Sequence, residues 1–160
     1  MRERITVRVL LFDPDGQILL MKGRMTYRST DLGAWFTVGG GADPGETLED
    51  CARREVKEES GFTEVTLGPV VWRRTAPGIL ADGERVLLKE TYMVAWVPGG
   101  DPVRDHWEAH EHDLVDDLRW WTLEDLEACE EQIFPERFLE LLPDVAAGRY
   151  PETVLDITLR

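Results

Sequence analysis

Hydrophobic positions along the chain come as short β-branched runs bounded by turn residues, and in one central stretch they recur at helical spacing. Ile5 to Phe12 is apolar, with Arg8 interrupting it. Asp13-Pro14-Asp15-Gly16 is a turn signature and Gln17 to Met21 returns apolar, which predicts a β-hairpin. Gly23 to Gly33 reads as a polar loop, and Ala34 to Val38 as a short strand that delivers the chain to Gly39-Gly40-Gly41. Leu48, Cys51, Ala52 and Val56 then fall on one helical stripe. Thr47 with Asp50 three residues later starts that helix, and Gly61 suits the left-handed position that ends it. Val65 to Arg74 reads as a strand, Pro77 to Glu84 as a loop, and Arg85 to Val97 as a long strand closed by Pro98-Gly99-Gly100. Residues 101–117 are polar and acidic and read as loop, before a last short strand, Leu118 to Trp121. Thr122 with Asp125 opens a helix to about Glu131. Pro135 opens another to about Leu142, broken by Pro143 and Gly148. Pro151 to Arg160 reads as a short strand or arm. Strands flanking one central helix, with two helices at the end, predict an α/β sandwich on a mixed sheet. No repeat or composition break divides the chain, so residues 1–160 are read as one domain.

The central helix breaks its own pattern. Glu55, Glu58 and Glu59 stand at i, i+3 and i+4 and share one face that nearly continues the apolar stripe. Three like charges this close weaken a helix unless something compensates them. A solvated acidic face accounts for Glu49 and Asp50, but not for carboxylates rotating toward the core behind a glycine cluster. A bound divalent cation is the simplest compensation, and carboxylate oxygens suit Mg²⁺ or Mn²⁺.

At this point the residues match a known pattern. Gly40, five residues, Glu46, seven residues, then Arg54-Glu55-Val56-any-Glu58-Glu59-any-Gly61-Phe62 resembles the Nudix box at every defined position over residues 40–62. The resemblance implies the Nudix fold, an α/β/α sandwich with a curved mixed β-sheet. It also implies hydrolysis of a phosphoanhydride in a nucleoside diphosphate linked to another group, with Mg²⁺ as cofactor and Mn²⁺ as a substitute. Carried onto this chain, it makes Glu55 and Glu59 direct metal ligands. Glu58 would hold a second metal or its water, and the Gly39 carbonyl would complete the site. Gly40 and Gly41 would let backbone approach metal and phosphates closely. Glu46 and Arg54 are expected to brace the loop as an ion pair, Arg54 also being kept among the catalytic candidates. The general base is either a box carboxylate, Glu58 or Glu59, or Glu111 from the segment before the last strand. The family usually has proline where Val38 stands, a departure expected to loosen the turn.

Composition narrows the partners. The 160 residues carry a formal net charge of −14, which disfavours nucleic acid as a partner because phosphate backbones need Lys and Arg. Within the basic N-terminal stretch, Lys22, Arg24 and Arg28 precede the glycines with no acid among them and are candidate phosphate contacts. No apolar run reaches membrane-spanning length, and the N-terminus lacks signal-peptide anatomy. Two cysteines, Cys51 and Cys129, are too few for a disulfide framework. The expectation is therefore a cytoplasmic protein, monomer or homodimer, with no membrane partner.

His106, Glu108, His110, Glu111 and His112 cluster in the acidic segment. They are compatible with a second metal site, an active-site loop or plain surface. Tyr27, Trp35, Trp72 and Trp107 are candidates to stack on a base, while Trp72, Trp96, Trp120 and Trp121 are expected in the core. A small-molecule nucleotide is the expected substrate. By analogy with short members of the family, it is a nucleoside triphosphate cleaved to monophosphate and pyrophosphate. ADP-ribose, a nucleotide sugar, or nucleotide sensing without catalysis are the alternatives.

Overall fold

A computed structural model of the chain describes residues 1–23, 33–80, 82–103 and 115–159. Among the described residues, seven strands form one sheet in the order β6-β2-β3-β1-β5-β4-β7. They are β1 (Arg2–Phe12), β2 (Ile18–Gly23), β3 (Ala34–Gly41), β4 (Thr66–Ile79), β5 (Arg85–Trp96), β6 (Val115–Trp121) and β7 (Leu155–Asp156). The β1–β5 and β4–β7 pairs are parallel and the others antiparallel, so the sheet is mixed as expected. Among the described residues, three helices pack on it: α1 (Leu48–Ser60), α2 (Leu123–Ala128) and α3 (Phe138–Ala146).

The side-chain alternation of the strands divides the core in two. Val7, Val9 and Leu11 of β1 point to one face with Val38, Met93 and Ala95, where Cys51, Ala52 and Val56 of α1 cover them. Leu10 and Phe12 point to the other face with Trp72, Tyr92 and Trp121, covered by Leu126, Phe138, Leu142 and Val145 of α2 and α3. Burial on both faces makes the α/β/α sandwich, each buried Val, Leu or Phe contributing roughly 1.5–3 kcal/mol.

Several boundaries differ from expectation. β4 runs on through Pro77 to Ile79, where a loop was expected. The proline is accommodated because the β7 side of β4 is bonded only as far as Thr75, whose N–H donates to Thr158 Oγ1, so among the described residues Pro77 lies on an unpaired edge. β6 begins at Val115 rather than Leu118, and α2 ends at Ala128 rather than near Glu131. α3 continues past Pro143 to Ala146: Phe138, Leu142 and Val145, spaced i, i+4 and i+7, are buried and outweigh the one N–H that proline lacks. Val38 does not loosen the turn, since it pairs with Val9 and is fully buried, carrying β3 on into the glycines. Trp72 and Trp121 are core and Trp120 packs against it as expected, but Trp96, at the end of β5, is 37% exposed. Trp35 is core as well, its ring edge-on to Trp121 at 4.7 Å, which takes it out of reach of a stacking base.

Candidate active site

The site forms where β3 turns toward α1. The helix start is set by Thr47, whose hydroxyl oxygen accepts the Asp50 N–H at 3.1 Å. The end is set by Gly61, left-handed at φ 82°, whose N–H reaches the Lys57 carbonyl at 2.9 Å. These caps fix the helix register and therefore the direction of each glutamate. Glu59 follows Ala52 and Val56 on the buried face and is 6% exposed; the Glu55 side chain at its edge is 13% exposed, and that of Glu58 is 40% exposed. One face thus presents three carboxylates at three depths.

Gly39 ties this helix to the sheet. Its N–H donates to Glu59 Oε1 at 2.7 Å, and its carbonyl accepts from Arg8 Nη1 at 3.3 Å. Its φ of 140° is outside what other residues readily adopt, and a Cβ there would stand 2.0 Å from the Val7 carbonyl oxygen. Gly40 has a different reason to lack a side chain: a Cβ would stand 2.4 Å from Glu55 Oε1. The Glu55 carboxylate therefore lies directly against the Gly40 backbone, in the space a methyl group would take.

Arg54 gathers the acids. It donates to both oxygens of Glu46, at 2.8 and 2.9 Å, and through Nη1 to Glu55 at 3.0 Å and Glu58 at 3.2 Å. Its Nη2 also reaches the Gly41 carbonyl at 2.9 Å. Glu46 in turn accepts the Asp43 N–H at 3.0 Å, so the expected brace between loop and helix is in place. The Arg54 hydrogen bonds, with the Asp43 N–H, hold the Glu46 carboxyl down at about 2. Burial pushes the Glu55 carboxyl up, with Arg54 opposing and Glu58 adding to the rise. Cys51, behind the loop, is raised to about 11 by burial first and then by Glu46 and Glu55, so it stays a thiol at neutral pH.

The donors fit a hard divalent cation. Glu55 and Glu58 already share one cation, the Arg54 guanidinium, and carboxylate and carbonyl oxygens are the donors such an ion takes. Among the described residues, no three acidic, His or Cys side chains converge into a finished cage.

Of the other expected residues, Lys22 lies opposite Trp35 in the β2–β3 ladder and is ion-paired to Glu131. At 3.3 Å per residue that is about 16 Å along β3 from Gly40, away from the loop. Arg24, Arg28, Tyr27, Trp107, Glu111 and the three histidines lie outside the described residues.

Two arginines singled out by no motif do belong to the site's surroundings. Arg4 lies against Gly41, and Arg8 against Gly39. Arg8 also ion-pairs with the buried Glu90 at 3.5 Å; Glu90 pairs with Arg74, and Arg74 with Glu136 at 3.1 Å. Burial works to lower the Arg8 pKa, but Glu90, Tyr92, Glu59 and Glu55 more than offset it, so the guanidinium stays charged. An arginine inside an otherwise apolar strand is the sign that could have pointed to it.

The NUDIX domain profile matches residues 2–142. An RNA pyrophosphohydrolase of Caulobacter vibrioides is 33% identical over 132 residues, covering 78% of this chain and 74% of that protein. The nucleoside triphosphatase NudI of Escherichia coli is 33% identical over 133 residues, covering 79% and 86%. The solution structure of the E. coli ORF135 protein superposes with a TM-score of 0.61 at 25% identity, covering 96% of each chain.

Proposed function

The chain belongs to the NUDIX domain family of pyrophosphohydrolases, and on that premise we propose that it is a Mg²⁺-dependent enzyme that hydrolyses a nucleoside triphosphate to the monophosphate and pyrophosphate. The observation that carries the reading is the convergence at one turn of the Gly39 backbone, the Glu59 carboxylate bound to it, and the Glu55 carboxylate against Gly40. Glu55, Glu59 and the Gly39 carbonyl would hold the cation, with Glu58 beside them. When bound, Mg²⁺ neutralises charge on phosphoryl oxygens and makes water more acidic.

The rest falls to the chain's own residues. The glycine loop admits the phosphates close to backbone, and Arg54 keeps Glu46, Glu55 and Glu58 in register. A base takes the proton from the water that attacks phosphorus as the phosphoanhydride P–O bond breaks. Of the box carboxylates, Glu58 is the one open to water, while Glu59 Oε1 is held by the Gly39 N–H. Glu111 is the competing base.

The nucleoside triphosphate reading is favoured by the similarity to NudI. A second reading, the 5′-triphosphate end of an RNA, is favoured by the similarity to the Caulobacter enzyme. The reacting group is the same, but a net charge of −14 disfavours holding a polyanionic tract. Among the described residues, no helix is long and apolar enough to cross a bilayer.

The test is a turnover panel with Mg²⁺: nucleoside triphosphates, ADP-ribose, nucleotide sugars and a 5′-triphosphorylated RNA. Fastest pyrophosphate release from a free triphosphate supports the reading. Preference for the RNA end or for ADP-ribose replaces it, and no turnover with retained nucleotide binding marks a sensor.

A further inference from the structure

We propose that Arg4 binds the phosphate chain of the substrate, an assignment that rests on the nucleotide-hydrolase reading above. Arg4 sits on β1, opposite Leu88 of β5, and its guanidinium lies against Gly41 of the glycine loop. A Cβ on Gly41 would stand 2.1 Å from Arg4 Nη2 and 2.5 Å from Cζ, so only glycine at that position leaves room for it. Its Nη1 donates to the Ala42 carbonyl at 3.4 Å.

Two guanidiniums therefore flank Gly41, and they are used differently. Arg54 is surrounded by Glu46, Glu55, Glu58 and, at 3.5 Å, Asp43. Arg4 meets no carboxylate within ion-pairing distance among the described residues, whereas Arg8 is paired with Glu90 and Lys22 with Glu131. In a chain of net charge −14, this leaves a half-buried positive group on the loop that must receive a polyanion. A planar guanidinium can meet two non-bridging phosphate oxygens at once, which a lysine cannot copy.

The test compares wild type with Arg4→Gln, Arg4→Lys and the same-strand control Arg2→Gln, since Arg2 is taken up by Glu84. Binding of inorganic tripolyphosphate is measured by calorimetry with Ca²⁺ in place of Mg²⁺, alongside KM and kcat for the nucleotide that wild type turns over. Arg4→Gln should weaken tripolyphosphate binding and raise KM by about tenfold or more, with kcat and melting temperature nearly unchanged. Arg4→Lys should recover part of the loss, and Arg2→Gln should lose nothing. Binding by Arg4→Gln within about twofold of wild type, or an equal loss in Arg2→Gln, overturns the assignment. Wild type that hydrolyses no nucleotide overturns the functional reading instead, while the tripolyphosphate titration still decides Arg4.

Discussion

Gly40→Ala puts one methyl group against the carboxylate on which the site depends. Built on the backbone, the new Cβ stands 2.4 Å from Glu55 Oε1, 2.6 Å from Cδ and 2.8 Å from Oε2, where ordinary contact begins at 3.4 Å. The carboxylate must retreat by 3.4 − 2.4, roughly 1 Å, since packed groups do not interpenetrate. What gives way is the far end of a side chain rather than backbone, and an added Cβ in a strand reduces the freedom of the unfolded chain by about 0.5–1 kcal/mol. The melting temperature should therefore stay within about 3 °C of wild type. Activity should not survive as well: a displacement of this size at a reacting centre costs on the order of 10²-fold, or about 2.7 kcal/mol of barrier.

The assay is kcat/KM across a Mg²⁺ titration, with Mn²⁺ binding followed separately by electron paramagnetic resonance. Weaker Mn²⁺ binding with an intact fold is the expected pair of results. The companion Gly39→Ala should behave differently. It combines a φ of 140° with a 2.0 Å clash against the Val7 carbonyl, so it should destabilise the fold by about 3 kcal/mol or more. Gly40→Ala with full activity and unchanged metal binding would refute the placement of Glu55 in the site. Gly40→Ala that unfolds like Gly39→Ala would refute the distinction between a yielding side chain and unyielding backbone.

Two further outcomes are expected. If Glu58 is the base, Glu58→Gln should lower kcat by about 10²-fold or more at saturating Mg²⁺ while Glu111→Gln stays mild; the reverse order, followed across pH, moves the role to Glu111. The Glu46–Arg54 pair should make itself felt in acid. Glu46 falls from its ordinary 4.5 to about 2 in the fold, so its contribution is complete above about pH 4.5 and is lost as pH drops toward 2. Arg54→Met should flatten that part of the stability–pH curve in denaturant melts, and a curve parallel to wild type would show the pair to be immaterial.

The elements of this protein are written mostly in local terms. Thr47 and Gly61 bound α1 to the residue, because a cap is a hydrogen bond within a few positions of the chain. The box supplied the glycines and carboxylates, and helical periodicity alone placed Glu55, Glu58 and Glu59 on one face. The depth of each could not be read there: Glu59 is buried and Glu58 open because of where the sheet lies relative to the helix, and no spacing within α1 encodes that.

The same limit explains the errors. Trp72 and Trp96 look alike as strand tryptophans, yet one lies under α3 and the other at the end of β5. Lys22 is close to the glycines in sequence, but antiparallel pairing sets it opposite Trp35, up the strand and beside Glu131. Arg4 and Arg8 are more than thirty positions from Gly39 and Gly41, and the β1–β3 ladder brings them alongside. The sequence by itself determined which chemical groups the protein owns and how its helices begin and end. Which charges face which backbone atoms was decided only by strand pairing, because hydrogen-bonded neighbours in a sheet come from distant parts of the chain.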